Sequence, residues 1–250
     1  MEWYLYLALI GVGLVAGFIN AAAGGGSMLS LPLLMFLGLP ANVANGTNRV
    51  AILLQNIVGV NTFRKQMVFN VKTDYRLAIP AIVGAIGGAL LAVDINVKVL
   101  HHIISFLMVF MLLIVIFKPD VWVRELAGKI NPKPTIWQYL LFLAIGFYGG
   151  FIQLGVGFFL LAGLVLGCGH DLVKANAIKL FIILIYTFFA LAIFVYNDQV
   201  DWMSGLMLSI GNMTGAWIGV RFTVKGGAKY VRYVLIIALI IVTVKLILSL

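Results

Sequence analysis

Acidic residues are scarce in this chain. Its 250 residues include eight Asp and Glu against seventeen Lys and Arg, and only 10% of them are charged. Apolar residues make up 63% and the mean hydropathy is +1.13, leaving too little polar surface to cover a water-soluble domain. The one cysteine, Cys168, excludes an internal disulfide framework and carries no information on redox compartment. No Ser-His-Asp set and no paired carboxylates fall within the apolar runs, so an enzyme is poorly supported. His101, His102 and His170 lack metal-ligand spacing, and neither a metal nor a cofactor is expected.

What the chain has in abundance is apolar segments, at 3–22, 28–39, 46–63, 77–93, 99–117, 139–157, 158–168, 177–196, 203–220 and 233–249. They leave no room for a soluble domain, and the expected class is an all-α polytopic membrane protein embedded in a lipid bilayer. The first segment ends in Ala21-Ala22-Ala23 like a signal peptide, but it follows Glu2 with no basic region, and it reads as the first helix. The net charge of +9 does not point to nucleic acid. Twelve of the seventeen cations sit in three stretches: Arg64, Lys65, Lys72, Arg76; Lys118, Arg124, Lys129, Lys133; Arg221, Lys225, Lys229, Arg232. Short basic loops beside apolar spans mark the cytoplasmic side, which places loops 64–76, 118–138 and 221–232 inside and both termini outside.

The chain repeats itself. GFIN at 17–20 matches GFIQ at 150–153, Ala44-Asn45 matches Ala175-Asn176, and residues 73–89 align without a gap to 200–216. Asp74 falls on Asp201, Gly84 on Gly211 and Gly88 on Gly215. Two repeats of about five segments each result, at 1–117 and 139–250, joined by a linker at 118–138 with three prolines. Corresponding loops carry opposite charge bias, so the repeats are expected to be inverted in the membrane. Inverted repeats with helices broken near the bilayer midplane build transporters, and the solute site lies between the halves.

The breaks supply the candidate site. Helix 3–22 carries Asn20 and stops at Gly24-Gly25-Gly26; the polar run Asn45, Thr47, Asn48, Arg49 follows Pro40 and reads as extended chain. The second half has Gln153, Gly155, Gly157, Asn176 and Lys179 in the corresponding places. A Walker or dinucleotide-binding reading of the glycine triplet fails, because no strand precedes it and no Lys-Ser/Thr follows. The triplet serves either close packing or a site. Irregular backbone at membrane depth must be buried in protein or line a cavity. Charges there are costly, so Arg49 and Lys179 either contact an anionic solute or snorkel to the interface. Half-helix N-termini in the breaks favour an anion.

The run GFINAAAGGGSMLSLPLLMFLGLP with Ala44 to Asn48, and the weaker second copy GFIQLGVGFFLLAGLVLG with Ala175-Asn176, resemble the TauE/SafE sulfite exporter family over the whole length. The resemblance implies a multi-pass inner-membrane carrier exporting a small anion such as sulfite or sulfoacetate. An anion channel or an uptake permease is the alternative. The second copy departs from the first in having Gly155 and Gly157 where the triplet stands.

Overall fold

A computed structural model of the chain describes residues 3–68, 76–117 and 134–247, with 108–117 and 227–247 as backbone alone. The described residues form nine helices and no strand: α1 Trp3–Ala22, α2 Ser27–Phe36, α3 Ala41–Lys65, α4 Ala78–Asp94, α5 Val97–Phe117, α6 Ile136–Ile152, α7 Val156–Ala162, α8 Leu172–Tyr196 and α9 Trp202–Ile247. A π turn at Gly163–Gly167 prolongs α7.

Polar side chains are buried beside the apolar core, and large apolar ones lie open on the outside. Asn45, Asn48, Arg49, Gln55, Asn56, Asn176 and Lys179 are each at most 1% exposed, whereas Ile79, Val83, Leu90, Phe147, Phe188 and Leu206 lie open on the outer faces. Water would penalise such an exterior, and hydrocarbon does not. α1 and α8 are each long and apolar enough to span a bilayer. The chain is a membrane protein.

Glycines set the helix pairing. Gly211, Gly215 and Gly219 on α9 meet Ile10, Leu14 and Phe18 on α1, while Gly13 and Gly17 meet Leu208 and Asn212 in return. Numbers rise together on both helices, so α1 and α9 run parallel. The same register joins α4 to α6: Gly84 meets Leu143, Gly88 meets Phe147, Gly146 meets Ala81 and Gly150 meets Ala85. At each of these glycines a Cβ would overlap facing backbone, and the small residue every fourth position is what lets the helices approach. α3 and α8 run antiparallel, because Gly46 meets Phe194 at one end and Gly59 meets Leu180 at the other.

The two short helices turn back. Ser30 Oγ donates to Asn48 Oδ1 at 2.6 Å, which lays α2 antiparallel beside α3. Gln138 Nε2, at the start of α6, donates to the Gly167 carbonyl at 2.7 Å, so α7 and its π turn return along α6. Segments 28–39 and 158–168 are thus the return arms of helical hairpins.

Three expectations are corrected. The run after Pro40 is not extended: α3 begins at Ala41, because tertiary partners take up the Asn and Thr side chains that otherwise compete for local backbone. The basic loop 221–232 is not a loop either. α9 runs unbroken for 46 residues through it, or ~69 Å at 1.5 Å per residue; the stretch has no proline, and Gly226-Gly227 weakens a helix without ending it. The linker also ends earlier than 138, since Thr135 caps α6 by accepting from the Gln138 backbone N–H while the Gln138 side chain accepts from the Thr135 N–H. Residues 69–75, with Lys72, Asp74 and Tyr75, and the rest of the linker at 118–133 lie outside the described residues.

Candidate functional site

Both breaks form where glycine chemistry calls for them. α1 ends at Ala22 and the chain turns through Gly24 at φ +98°, a left-handed conformation open to glycine. In the second half α6 ends at Ile152, and Gln153 at φ 46° and Gly155 at φ 64° make the turn into α7. A left-handed glutamine is unusual. Its side chain is fixed by a 2.7 Å hydrogen bond from Nε2 to Thr187 Oγ1 on α8.

The two breaks touch. A Cβ on Gly24 would come within 2.5 Å of the Gly157 backbone, and one on Gly157 would overlap Gly24 in return. The offset that aligns Gly17 with Gly150 also aligns Gly24 with Gly157, so equivalent positions face each other. Ser27 joins the breaks chemically: its hydroxyl donates to the Gln153 carbonyl and accepts from the Gly155 N–H, each at 3.0 Å.

Against this crossing lies a tight cavity of ≈10 Å³, room for about one water molecule. Polar walls come from Asn20, Ser27, Gln55, Asn56 and Gln153; Gly24 and Gly157 form its floor, and Ile52, Val156, Leu180 and Ile183 close it. Asn20 Nδ2 donates to Gln55 Oε1 at 3.1 Å, and Asn20 Oδ1 accepts from the Ser27 N–H at 3.3 Å. Asn56 Oδ1 and Gln153 Oε1 are buried with no partner, which is unusual for buried polar atoms.

Two cations flank the cavity, each reaching from one half to the end of a helix in the other. Arg49 donates from Nη1 to the Gly149 carbonyl at 3.1 Å and from Nη2 to the Gly150 carbonyl at 2.6 Å, and its guanidinium lies 4.5 Å from the centre of the Phe194 ring. Lys179 donates from Nζ to the Asn20 carbonyl at 2.9 Å and to Asn176 Oδ1. These carbonyls belong to the last turns of α6 and α1, which have no helical partners of their own and form the negative end of the helix dipole. Asn45 and Asn176 act alongside: Asn45 Nδ2 donates to the Phe151 carbonyl at 2.8 Å, and Asn176 Nδ2 to the Ala22 carbonyl at 3.0 Å. Neither cation has a carboxylate partner among the described residues, and both are fully buried, so neither snorkels.

The sequence-derived residues therefore divide. Asn20, Gly24, Gln153 and Gly157 line the cavity. Arg49, Asn45, Lys179 and Asn176 clamp the broken helices from behind it. Gly155 presents its N–H to Ser27, Gly25 packs on the Phe158 ring, and Gly26 packs against Ala16 and Asn20. Thr47 and Asn48 lie farther off: Thr47 accepts from the Asp201 N–H at 2.8 Å and Asn48 holds Ser30. Sequence reasoning missed Ser27, Gln55 and Asn56. Their signal was present, in a serine directly after the glycine triplet and a Gln-Asn pair inside the apolar run 50–60.

Known proteins resemble this chain along nearly its whole length. The chain is 29% identical to a probable membrane transporter protein, ORF9, of Sinorhizobium sp, over 98% of this chain and 94% of that one. It is 29% identical to the probable membrane transporter YfcA of Escherichia coli strain K12, over 94% and 87% of the two chains. A probable membrane transporter of Haemophilus influenzae is 27% identical over 97% and 94%. No solved structure matches the chain. The model of the family described as sulfite exporter TauE/SafE matches residues 9–246, and the chain belongs to that family of membrane transporters.

Proposed function

We propose that this protein is a multi-pass carrier of the inner membrane that exports a small anion, sulfite or an organosulfonate such as sulfoacetate, by alternating access. The observation that carries the reading is the pair of buried cations without carboxylate partners, Arg49 and Lys179, flanking a cavity walled by neutral amides. Helix ends offset their charge only in part, so the junction is electropositive and a mobile anion completes the balance. Gln55 Oε1 is occupied by Asn20, which frees its Nε2 to donate to a solute. A turned-over Gln153 amide would accept from the Thr187 hydroxyl and present its own NH2 to the cavity. In this reading Asn20, Ser27, Gln55 and Gln153 touch the anion, the glycines admit it, and Asn45, Asn176, Arg49 and Lys179 fix the two broken helices that enclose it. An anion leaving a negative-inside cell gains ~2.3 kcal/mol per charge per 100 mV, enough to drive export without a coupling ion.

The two halves, 1–117 and 139–250, are taken as inverted repeats. Support comes from helix direction: α3 runs antiparallel to α8, its counterpart, and parallel to α9, since Gly205 meets Thr47 and Gly59 meets Val220. The contact of Gly24 with Gly157, equivalent positions in the two copies, supports an axis between them. The loop after α3 and its counterpart after α8 fall at opposite ends of α3, since Gly46 meets Gln199. Single cysteines at Met67 and Asp198, in a Cys168→Ala background, should therefore react with impermeant maleimide from opposite sides, Met67 from the cytoplasm. Labelling of both from one side would refute the inversion.

A ligand panel tests the substrate class. Sulfite, sulfoacetate and thiosulfate are expected to raise the melting temperature of the detergent-solubilised protein more than zwitterionic taurine does. Equal shifts with taurine, or none with any anion, would remove the anion reading. A channel would share the cavity, and the closed walls at the glycine crossing favour a carrier.

A further inference from the structure

We propose that a groove on the outer face of α9 seats the headgroup of an anionic phospholipid. The groove, ≈380 Å³, is lined by Trp217, Ile218, Arg221, Phe222, Lys225 and Gly226. Trp217, Arg221 and Lys225 recur every fourth residue and so stack along one face, and the Arg221 guanidinium lies flat over the Trp217 ring at 3.9 Å. The opposite face of the helix is closed: Ala216 and Val220 are fully buried, and Gly215 and Gly219 pack on α1. The groove therefore faces the lipid and not the transport cavity.

Its depth and charge select the occupant. Gly219 lies beside Phe18 and Val220 beside Gly59, so Arg221 and Lys225 follow on α9 toward the level of Arg64 and Lys65 at the end of α3, past the solute cavity. The basic stretch that begins at Arg64 assigns that level to the cytoplasmic leaflet, where anionic lipid is attracted to juxtamembrane cations. Trp217 lies one turn nearer the midplane, beside Ile218 and Phe222, where acyl chain is the neighbour. Among the described residues no carboxylate lines the groove. A headgroup phosphate thus meets two cations, one held in place by an aromatic ring, while the chain below it meets apolar side chains. Trp, Arg and Phe on one strip match the two ends of a phospholipid, and a soluble anion would leave the apolar half unused.

Tryptophan quenching in vesicles decides it. The full-length protein is reconstituted with rising fractions of brominated phosphatidylglycerol or brominated phosphatidylcholine, and the Trp217 component is taken from the difference between the parent and Trp217→Phe. Half-quenching is expected at a phosphatidylglycerol fraction at least fivefold lower, since each cation contributes about that factor. Arg221→Gln/Lys225→Gln should bring the two lipids together, and raising the salt should narrow the gap in the parent. Equal quenching by both lipids in the parent overturns the proposal, as does a preference that survives both the double variant and high salt. If the double variant misfolds, Lys225→Gln alone must lower the preference at least twofold, and an unchanged preference there overturns it.

Discussion

Gly157→Ala and Gly24→Ala are expected to abolish anion transport and to lower the melting temperature, while Gly11→Ala leaves both near the parent values. At the crossing the two backbones are each other's walls. A methyl on Gly24 falls 2.5 Å from the Gly157 carbonyl carbon and one on Gly157 overlaps Gly24, whereas Gly11 has open space around its Cα. Gly24 adds a second cost, because at φ +98° an L side chain strains the backbone. Overlap and strain together come to about 2–5 kcal/mol. Relief requires the breaks to separate, which pulls Ser27 away from Gln153 and Gly155 and opens the cavity wall. Melting curves and proteoliposome flux on the three variants check this. Parent-like flux in Gly24→Ala would mean that the breaks need not touch for the carrier to work.

Arg49→Gln and Lys179→Gln carry the next largest effect. Arg49 satisfies two carbonyls at the end of α6 and Lys179 one at the end of α1, and a buried polar group left without a partner costs about 1–3 kcal/mol. Loss of the favourable charge at each helix terminus adds up to about 2 kcal/mol. Each variant should melt roughly 5–15 °C lower, at about 2–4 °C per kcal/mol for a chain of this size. Each should also lose at least tenfold in anion affinity, because the positive field at the cavity drops. Asn45→Ala and Asn176→Ala remove single neutral hydrogen bonds worth ~0.5–1.5 kcal/mol and should do less on both counts. Arg49→Lys keeps the charge but one ammonium replaces a fork that spans two carbonyls, so it should recover affinity more fully than melting temperature. If the Gln variants keep both properties while the Asn variants fail, the amides alone hold the solute and the cations are bystanders.

The repeat, the glycine break after Asn20, the second break at Gln153 and the buried cations were all legible, because each is a local departure from an apolar run. Gly84, Gly88, Gly211 and Gly215 were readable as packing positions from their spacing, and they bear that out in register. The partners of Arg49 and Lys179 were not legible. Their carbonyls lie 100 and 159 residues away in sequence, and backbone carries no side-chain signature. Snorkelling and anion contact were therefore weighed as the alternatives when clamping was the geometry. The asparagines after Pro40 misled for a related reason: Asn and Thr disfavour helix locally, yet Asn45, Asn48 and Thr47 spend their polar atoms on Phe151, Ser30 and Asp201. The continuity of α9 escaped because a basic run was read as a loop. Charge marks the side of the membrane, not the conformation of the backbone.

Trans-stimulated exchange tests the proposed mechanism most directly. Proteoliposomes preloaded with unlabelled sulfite, or with sulfoacetate, are diluted into labelled sulfite, and uptake is followed against external concentration with the membrane potential clamped to zero. Saturable uptake that is faster from anion-loaded than from empty vesicles, and lost in Gly24→Ala, is the expected result. Uptake that rises linearly with concentration and ignores the internal anion would contradict a carrier whose two inverted halves share one site.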